Sequence, residues 1–185
     1  DETNQYTVSI DTSSPLRIGS NTMSREDEFF HGHIDDVVIW DRYLSESEIE
    51  YFTFGVDSLL SFDGIVASYR FNSGSGDLVY DRSGGQSHGD ISGATWHLPA
   101  TPGENNSLSF DGSNDYVSIA DDQSLTSTSM MTISAWFKKV TGPGWMSLVG
   151  KGTSDVNEEY VLMLMDDQVY FDVGQDGGPY IQQSA

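Results

Sequence analysis

Four histidines, at positions 31, 33, 88 and 97, and 29 Asp and Glu are the residues of this 185-residue chain with the widest chemical range. Imidazole serves as base, nucleophile partner or metal ligand when a second group stands at the right spacing. Here His31 and His33 merely alternate, His88 and His97 fall in turn-rich stretches, and no His-Glu-x-x-His helix or Ser-centred elbow accompanies them. Each is read as a surface or turn histidine. The absence of Cys removes thiol catalysis, Cys-based zinc sites and disulfides. Glycoside hydrolysis needs two carboxylates flanking the scissile bond, and the nearest run, His33-Ile34-Asp35-Asp36-Val37, does not set its acids on alternate positions of one strand face. Asp111, Ser113 and Asp115 begin like an oxygen-ligand calcium loop, but Tyr116 stands where that loop requires glycine. Five methionines, Met130, Met131, Met146, Met163 and Met165, read as fillers of irregular core gaps.

Eight Lys and Arg against the 29 acids leave a net charge of −21. Such a field repels phosphate backbones and anionic membrane surfaces, which excludes nucleic acid as a partner. No stretch approaches the roughly 18 to 20 apolar residues that a membrane span needs, so no membrane insertion is expected. With 37% hydrophobic and 12% aromatic residues spread along its length, the chain is expected to fold as a soluble or already processed segment.

The elements that would position any site are short strands. Runs of β-branched and aromatic residues, punctuated by Gly, Ser, Asn and Asp about every ten residues, predict an all-β antiparallel sandwich. Strands are expected at 6–10, 16–18, 32–40, 60–71, 107–110, 116–119, 131–140, 146–151, 160–165 and 168–173. Uninterrupted alternation puts Asp35, Val37 and Ile39 on one face and Asp36, Val38 and Trp40 on the other, and it separates Ile133, Ala135 and Phe137 from Ser134 and Trp136. One short helix is expected after Leu44, where Ser45 and Glu48 form a capping box, Leu44, Ile49 and Phe52 supply an apolar edge, and Gly55 is the stop.

Three stretches then resemble the concanavalin A-like sandwiches of the laminin G-like and pentraxin-related group. The segment from Phe30-His31-Gly32-His33-Ile34-Asp35-Asp36 through Trp40-Asp41-Arg42-Tyr43-Leu44-Ser45 to Ile49 is similar to that group's closing strand and following helix. Ala67-Ser68-Tyr69-Arg70-Phe71-Asn72, with Val79-Tyr80-Asp81-Arg82-Ser83-Gly84 and His88-Gly89, resembles its opening strand and glycine-rich loop, and residues 107–117 and 132–137 continue in order. The resemblance implies a jelly-roll sandwich spanning 1–185 as a single domain, with a closing half at 1–55 placed before an opening half at 59–185. This inverted order fits a circular permutant, a piece cut across tandem repeats, or strand exchange between neighbouring chains. A tandem-array origin, with the two halves packing on each other, is the favoured reading.

The same resemblance implies a structural calcium ion where the closing strand meets the opening loop, on Asp35 and Asp81. Six to eight oxygens would be completed from Asp36, Asn72, the carbonyl of His88 or water. It also implies glycan contacts through aromatic faces, for which Trp136, Trp145, Tyr160 and Tyr170 are the candidates, although aromatics on strands more often pack the core. The expected function is a non-catalytic, extracellular or cell-surface binding and adhesion module whose partner is a glycan or another extracellular protein, with head-to-tail self-association as a further mode. The alternatives are a carbohydrate-binding accessory module of a polysaccharide-degrading enzyme and a glucanase-like hydrolase.

Overall fold

Short apolar runs bury themselves by pairing edge to edge and stacking face to face, and the computed structural model shows this arrangement. It describes residues 12–21, 28–53, 63–99, 105–126, 130–140, 144–152, 158–174 and 181–184. The expected strand at 6–10, the helix stop at Gly55 and the start of the expected 60–71 strand lie outside the described residues.

Thirteen strands are described: β1 (Leu16–Ile18), β2 (His31–Trp40), β3 (Ile65–Tyr69), β4 (Leu78–Val79), β5 (Gly89–Ser92), β6 (Thr95–His97), β7 (Ser107–Asp111), β8 (Tyr116–Ile119), β9 (Thr132–Lys139), β10 (Trp145–Gly152), β11 (Glu158–Met165), β12 (Gln168–Val173) and β13 (Ile181–Ser184). They form two antiparallel sheets. The larger has the order β13-β12-β11-β10-β1-β8-β5-β4; the smaller has β3, β7 and β9 against β2, with β6 beside β7. The chain is an all-β sandwich with one short helix, α1 (Glu46–Thr53).

The early strands occupy interior places. Leu16 and Ile18 of β1 pair with Ile119 and Val117 on one side and with Lys151 and Val149 on the other. In the smaller sheet, β9 runs along one edge of β2 while the other edge is shared, β7 opposite His31–Ile34 and β3 opposite Val37–Trp40. The core between the sheets joins Leu16, Ile18, Val117, Ile119, Val149 and Tyr160 of the larger to Ile34, Val37, Ile39, Tyr69, Leu108 and Phe110 of the smaller.

Uninterrupted alternation along β2 is corrected by a β-bulge. The register against β9 slips between Asp35 and Val38, and Asp36 takes φ +46°. One extra residue shifts the phase by one, so Ile34 faces the core before the bulge while Val37 and Ile39 do so after it. Asp35 therefore does not share a face with Val37; it points outward with His33. Asp is among the few side chains that tolerate a positive φ. Beyond the bulge, Val38 and Trp40 form a second small cluster with Leu44 and Ile65 on the opposite face.

The capping box forms as expected. Ser45 N–H donates to Glu48 Oε2 at 2.8 Å and Glu48 N–H donates to Ser45 Oγ at 3.4 Å. Arg42 adds a forked contact to both Glu48 oxygens, at 3.1 and 2.6 Å. The guanidinium first, then the Ser45 donors, pull the Glu48 carboxyl down to about 2. Leu44 packs as anticipated, but Ile49 stays 52% exposed, so the apolar edge of α1 is only partly used.

Candidate functional site

Cross-strand partners share a face of a sheet, so the registers of the smaller sheet assemble an outward-facing row. His33 lies between Ser109 and Lys138, Asp35 pairs with Trp136, and His97 pairs with Ser107. All of these but Ser109, together with Asp36, Pro99, Asn105 and Phe137, line a groove of about 530 Å³. Its two central strands approach closely at Gly32, where φ is +150° and a Cβ would collide with the Lys138 carbonyl. No other residue fits there without moving β9, so this glycine holds the floor between His33 and Lys138 together.

Trp136 stands 55% exposed on the groove wall. An indole presented by a rigid strand is a flat apolar platform that loses little entropy on binding. The His33 and His97 rings lie 4.4 Å apart between centroids at 42°. Burial, then His97, then Lys138 depress the His33 pKa, which favours neutral imidazole. His33 Nδ1 is buried and makes no hydrogen bond among the described residues. Asp35 is pushed up to about 7, first by burial and then by the charge of Asp36, against the stabilising N–H of Asp36 at 2.9 Å from Oδ1. Near neutral pH its carboxyl is thus shared between a donor-bearing acid and an acceptor-only carboxylate. The groove combines an aromatic plate with polar groups of both kinds.

The residues expected to share a calcium ion do not converge here. Asp35 and Asp36 line the groove, whereas Asp81 is buried in the turn after β4. Its Oδ1 accepts from the N–H of Ser68 (3.0 Å) and Ser83 (2.8 Å); its Oδ2 accepts from Ser83 Oγ (2.8 Å) and Ser87 N–H (3.2 Å). His88 Nδ1 accepts from the Asp81 N–H at 3.1 Å. The Asn72 carbonyl accepts from the Asn106 amide at 3.2 Å. Among the described residues no group of three or more His, Asp or Glu is placed to hold a metal ion. With the Asp81 oxygens committed to four protein donors, the set does not fit a hard cation that needs six to eight oxygens.

The four aromatic candidates divide. Trp136 faces the groove; Trp145 and Tyr170 meet edge to face at 5.1 Å on the larger sheet. Tyr160 is 0% exposed, with its hydroxyl donating to the Leu125 carbonyl at 2.8 Å, so it is a core residue and not a ligand contact. Burial against the opposite sheet explains this placement, and no sugar reaches it. The sequence reading missed His33, His97, Ser107 and Lys138. For His33 and Lys138 a signal was present, two positions before Asp35 and two after Trp136, on the same strand faces. His97 comes from a three-residue strand that carries no such periodicity.

Residues 1–50 match the Laminin G 3 family model, described as the concanavalin A-like lectin/glucanases superfamily. No curated protein and no solved structure matches the chain. The matched stretch contains β1, β2 and the start of α1, and therefore His33, Asp35 and Asp36 of the groove. Over those fifty residues, less than half of its length, the chain is similar to the concanavalin A-like lectin/glucanases superfamily, and its two stacked antiparallel sheets form a β-sandwich.

Proposed function

We propose that the protein is a non-catalytic binding module of a secreted or surface protein that takes a carbohydrate in the groove on the outer face of its smaller sheet. The superfamily match supports a lectin-like or binding role in general. The observation that carries the finer reading is Trp136, half exposed on a strand and set directly across from Asp35. A sugar offers an apolar CH face and a rim of hydroxyls, which an aromatic plate and flanking carboxyl, imidazole and serine groups complement. Hydrolysis is disfavoured because Asp35 and Asp36, the only carboxylates among the described lining residues, are consecutive and their charges repel. A glycosidase instead sets two carboxyls on opposite sides of the bond, about 5 to 9.5 Å apart.

An array of neutral polysaccharides and oligosaccharides tests this. Saturable retention by the folded protein that Trp136→Ala abolishes is the expected result. A flat array, or retention unchanged in Trp136→Ala, overturns the reading, and release of reducing ends from a bound polysaccharide overturns the non-catalytic part.

A further inference from the structure

Charge is distributed unevenly over the groove. The β2–β9 pairing crosses it in two successive rows, His33 beside Lys138 and Asp35 beside Trp136. Lys138 is among the charges that act on His33 and is not among those that act on Asp35, whose charged neighbour is Asp36. The aromatic plate therefore adjoins the acidic row, and the lysine belongs to the other.

The acidic row is held in place by strained backbone. The bulge that turns Asp35 outward requires φ +46° at Asp36, a sparsely populated conformation, and bulges of this kind re-aim single side chains. The side chain so aimed is poorly compensated. Asp35 Oδ1 accepts one backbone N–H, and among the described residues no cation pairs with it. Desolvation and like charge make such a carboxyl hold a proton, and the same two effects favour any cation that can reach it. A hard metal ion is not suited, because no set of ligands converges here. An ammonium group needs less: one carboxylate to accept its N–H donors and an aromatic face beside it. Asp35 and the half-exposed Trp136 supply both. The chain as a whole acts in the same sense, since a net charge of −21 repels acidic glycans and draws cationic ones.

We infer that the groove selects an amino sugar with a free ammonium group, its ring lying on Trp136 and its ammonium meeting Asp35. That the ligand is a sugar rests on the reading of the groove given above; the preference for positive charge rests on Asp35 and its place beside the indole. His33, Ser107 and Asn105 line the remainder of the groove and face the hydroxyls.

Titration calorimetry on the full chain, with a glucosamine oligosaccharide and its glucose counterpart of the same linkage, tests this at physiological ionic strength, where diffuse attraction between exposed charges is screened. At pH 7 the wild type is expected to bind the glucosamine form about tenfold more tightly, a span typical of a charge-assisted hydrogen bond. Asp35→Asn, which relieves crowding and should fold, is expected to remove that difference, and Trp136→Ala to weaken both sugars. Protons give a second readout. The titratable and charged groups lining the groove with Asp35 are His33 and Asp36 on its own strand, Lys138 on β9 and His97 on β6. At pH 6 Asp35, with its pKa pushed up to about 7, mostly carries a proton that an arriving ammonium displaces. Heats measured in two buffers of different ionisation enthalpy should therefore show more proton release by the wild type than by Asp35→Asn. Equal affinity for the two sugars, or a preference that survives in Asp35→Asn, overturns the amino sugar while leaving the groove a carbohydrate site. Failure to bind either sugar overturns the carbohydrate reading and the amino sugar with it. Tighter binding of a lysine-containing peptide than of the glucosamine form, lost on acetylation of the lysine, overturns the sugar as the source of the ammonium.

Discussion

Asp35 and Asp81 are two aspartates that the sequence invites one to treat alike, yet the fold gives them opposite fates. Asp81 is buried, and each of its oxygens is met by two protein donors, so it fastens the turn after β4 to β3. Asp35 has one backbone donor and a like-charged neighbour, and it opens onto a groove. A buried carboxylate whose lone pairs are all satisfied contributes to stability; one that is half desolvated and crowded by charge opposes it and remains available to a ligand. Glu159 is a third case, met on one oxygen by a cation as well as by donors: its Oε1 accepts from Lys151 Nζ (2.7 Å), Thr12 N–H (2.8 Å) and Thr12 Oγ1 (2.7 Å), its Oε2 is buried without a hydrogen bond among the described residues, and Lys151 also meets Asp121 at 2.8 Å.

The strongest way to break this contrast is at Lys151. Lys151→Ala leaves Glu159 charged and unpaired in the interior, and it should cost about 3–5 kcal/mol in urea unfolding. The double variant Lys151→Met/Glu159→Leu should recover most of that loss; an equal loss in both would show that the ion pair is not what matters there. Next, Asp81→Ala strips four donors of their acceptor and should cost about 2–4 kcal/mol, with no change in neutral glycan retention. If Asp81→Ala were nearly silent in calcium-free unfolding and abolished a stabilisation that calcium gives the wild type, the turn-fastening role would be wrong.

Trp136→Ala should do the reverse, lowering glycan affinity by about tenfold, equivalent to about 1.4 kcal/mol, while moving the unfolding midpoint little because the indole is half exposed. The smallest effect is expected at Asp35. Its native pKa near 7 lies above the ordinary carboxylate value, so between about pH 4 and 7 the native state holds a proton that the unfolded chain releases, and stability falls as pH rises through that window. Asp35→Asn should therefore stabilise by about 1–2 kcal/mol at pH 8, a figure reduced for solvent screening of a partly open site, and bring no gain near pH 4. Urea unfolding at pH 4, 6 and 8 checks this, and a pH-independent gain would rule out titration as its cause.

Much of the framework was legible in the chain. The strands around Ile34, Ile119, Ile133 and Leu164 carry β-branched or aromatic residues in periodic runs, and Ser45-x-x-Glu48 specified a helix start through bonds between near neighbours. Four strands escaped notice: β4, β5, β6 and β13 have two to four residues each, too few to establish a period, and β5 and β13 are also rich in Gly, Asp, Ser or Gln. Of the candidate site, Asp35, Asp36 and Trp136 were singled out, but for separate roles. Their meeting depends on the pairing of β2 with β9, about a hundred residues apart in the chain, and on the bulge at Asp36 that turns Asp35 outward.

By itself the sequence determined the fold class, the capping box, the acidic balance and the family resemblance of residues 1–50, because those properties reside in composition, in short-range spacing or in a contiguous pattern. Only the tertiary structure decided which carboxylate would be fastened and which left in a groove, and which aromatic would face solvent. Those outcomes depend on long-range register, where a one-residue slip reverses the face of every side chain that follows.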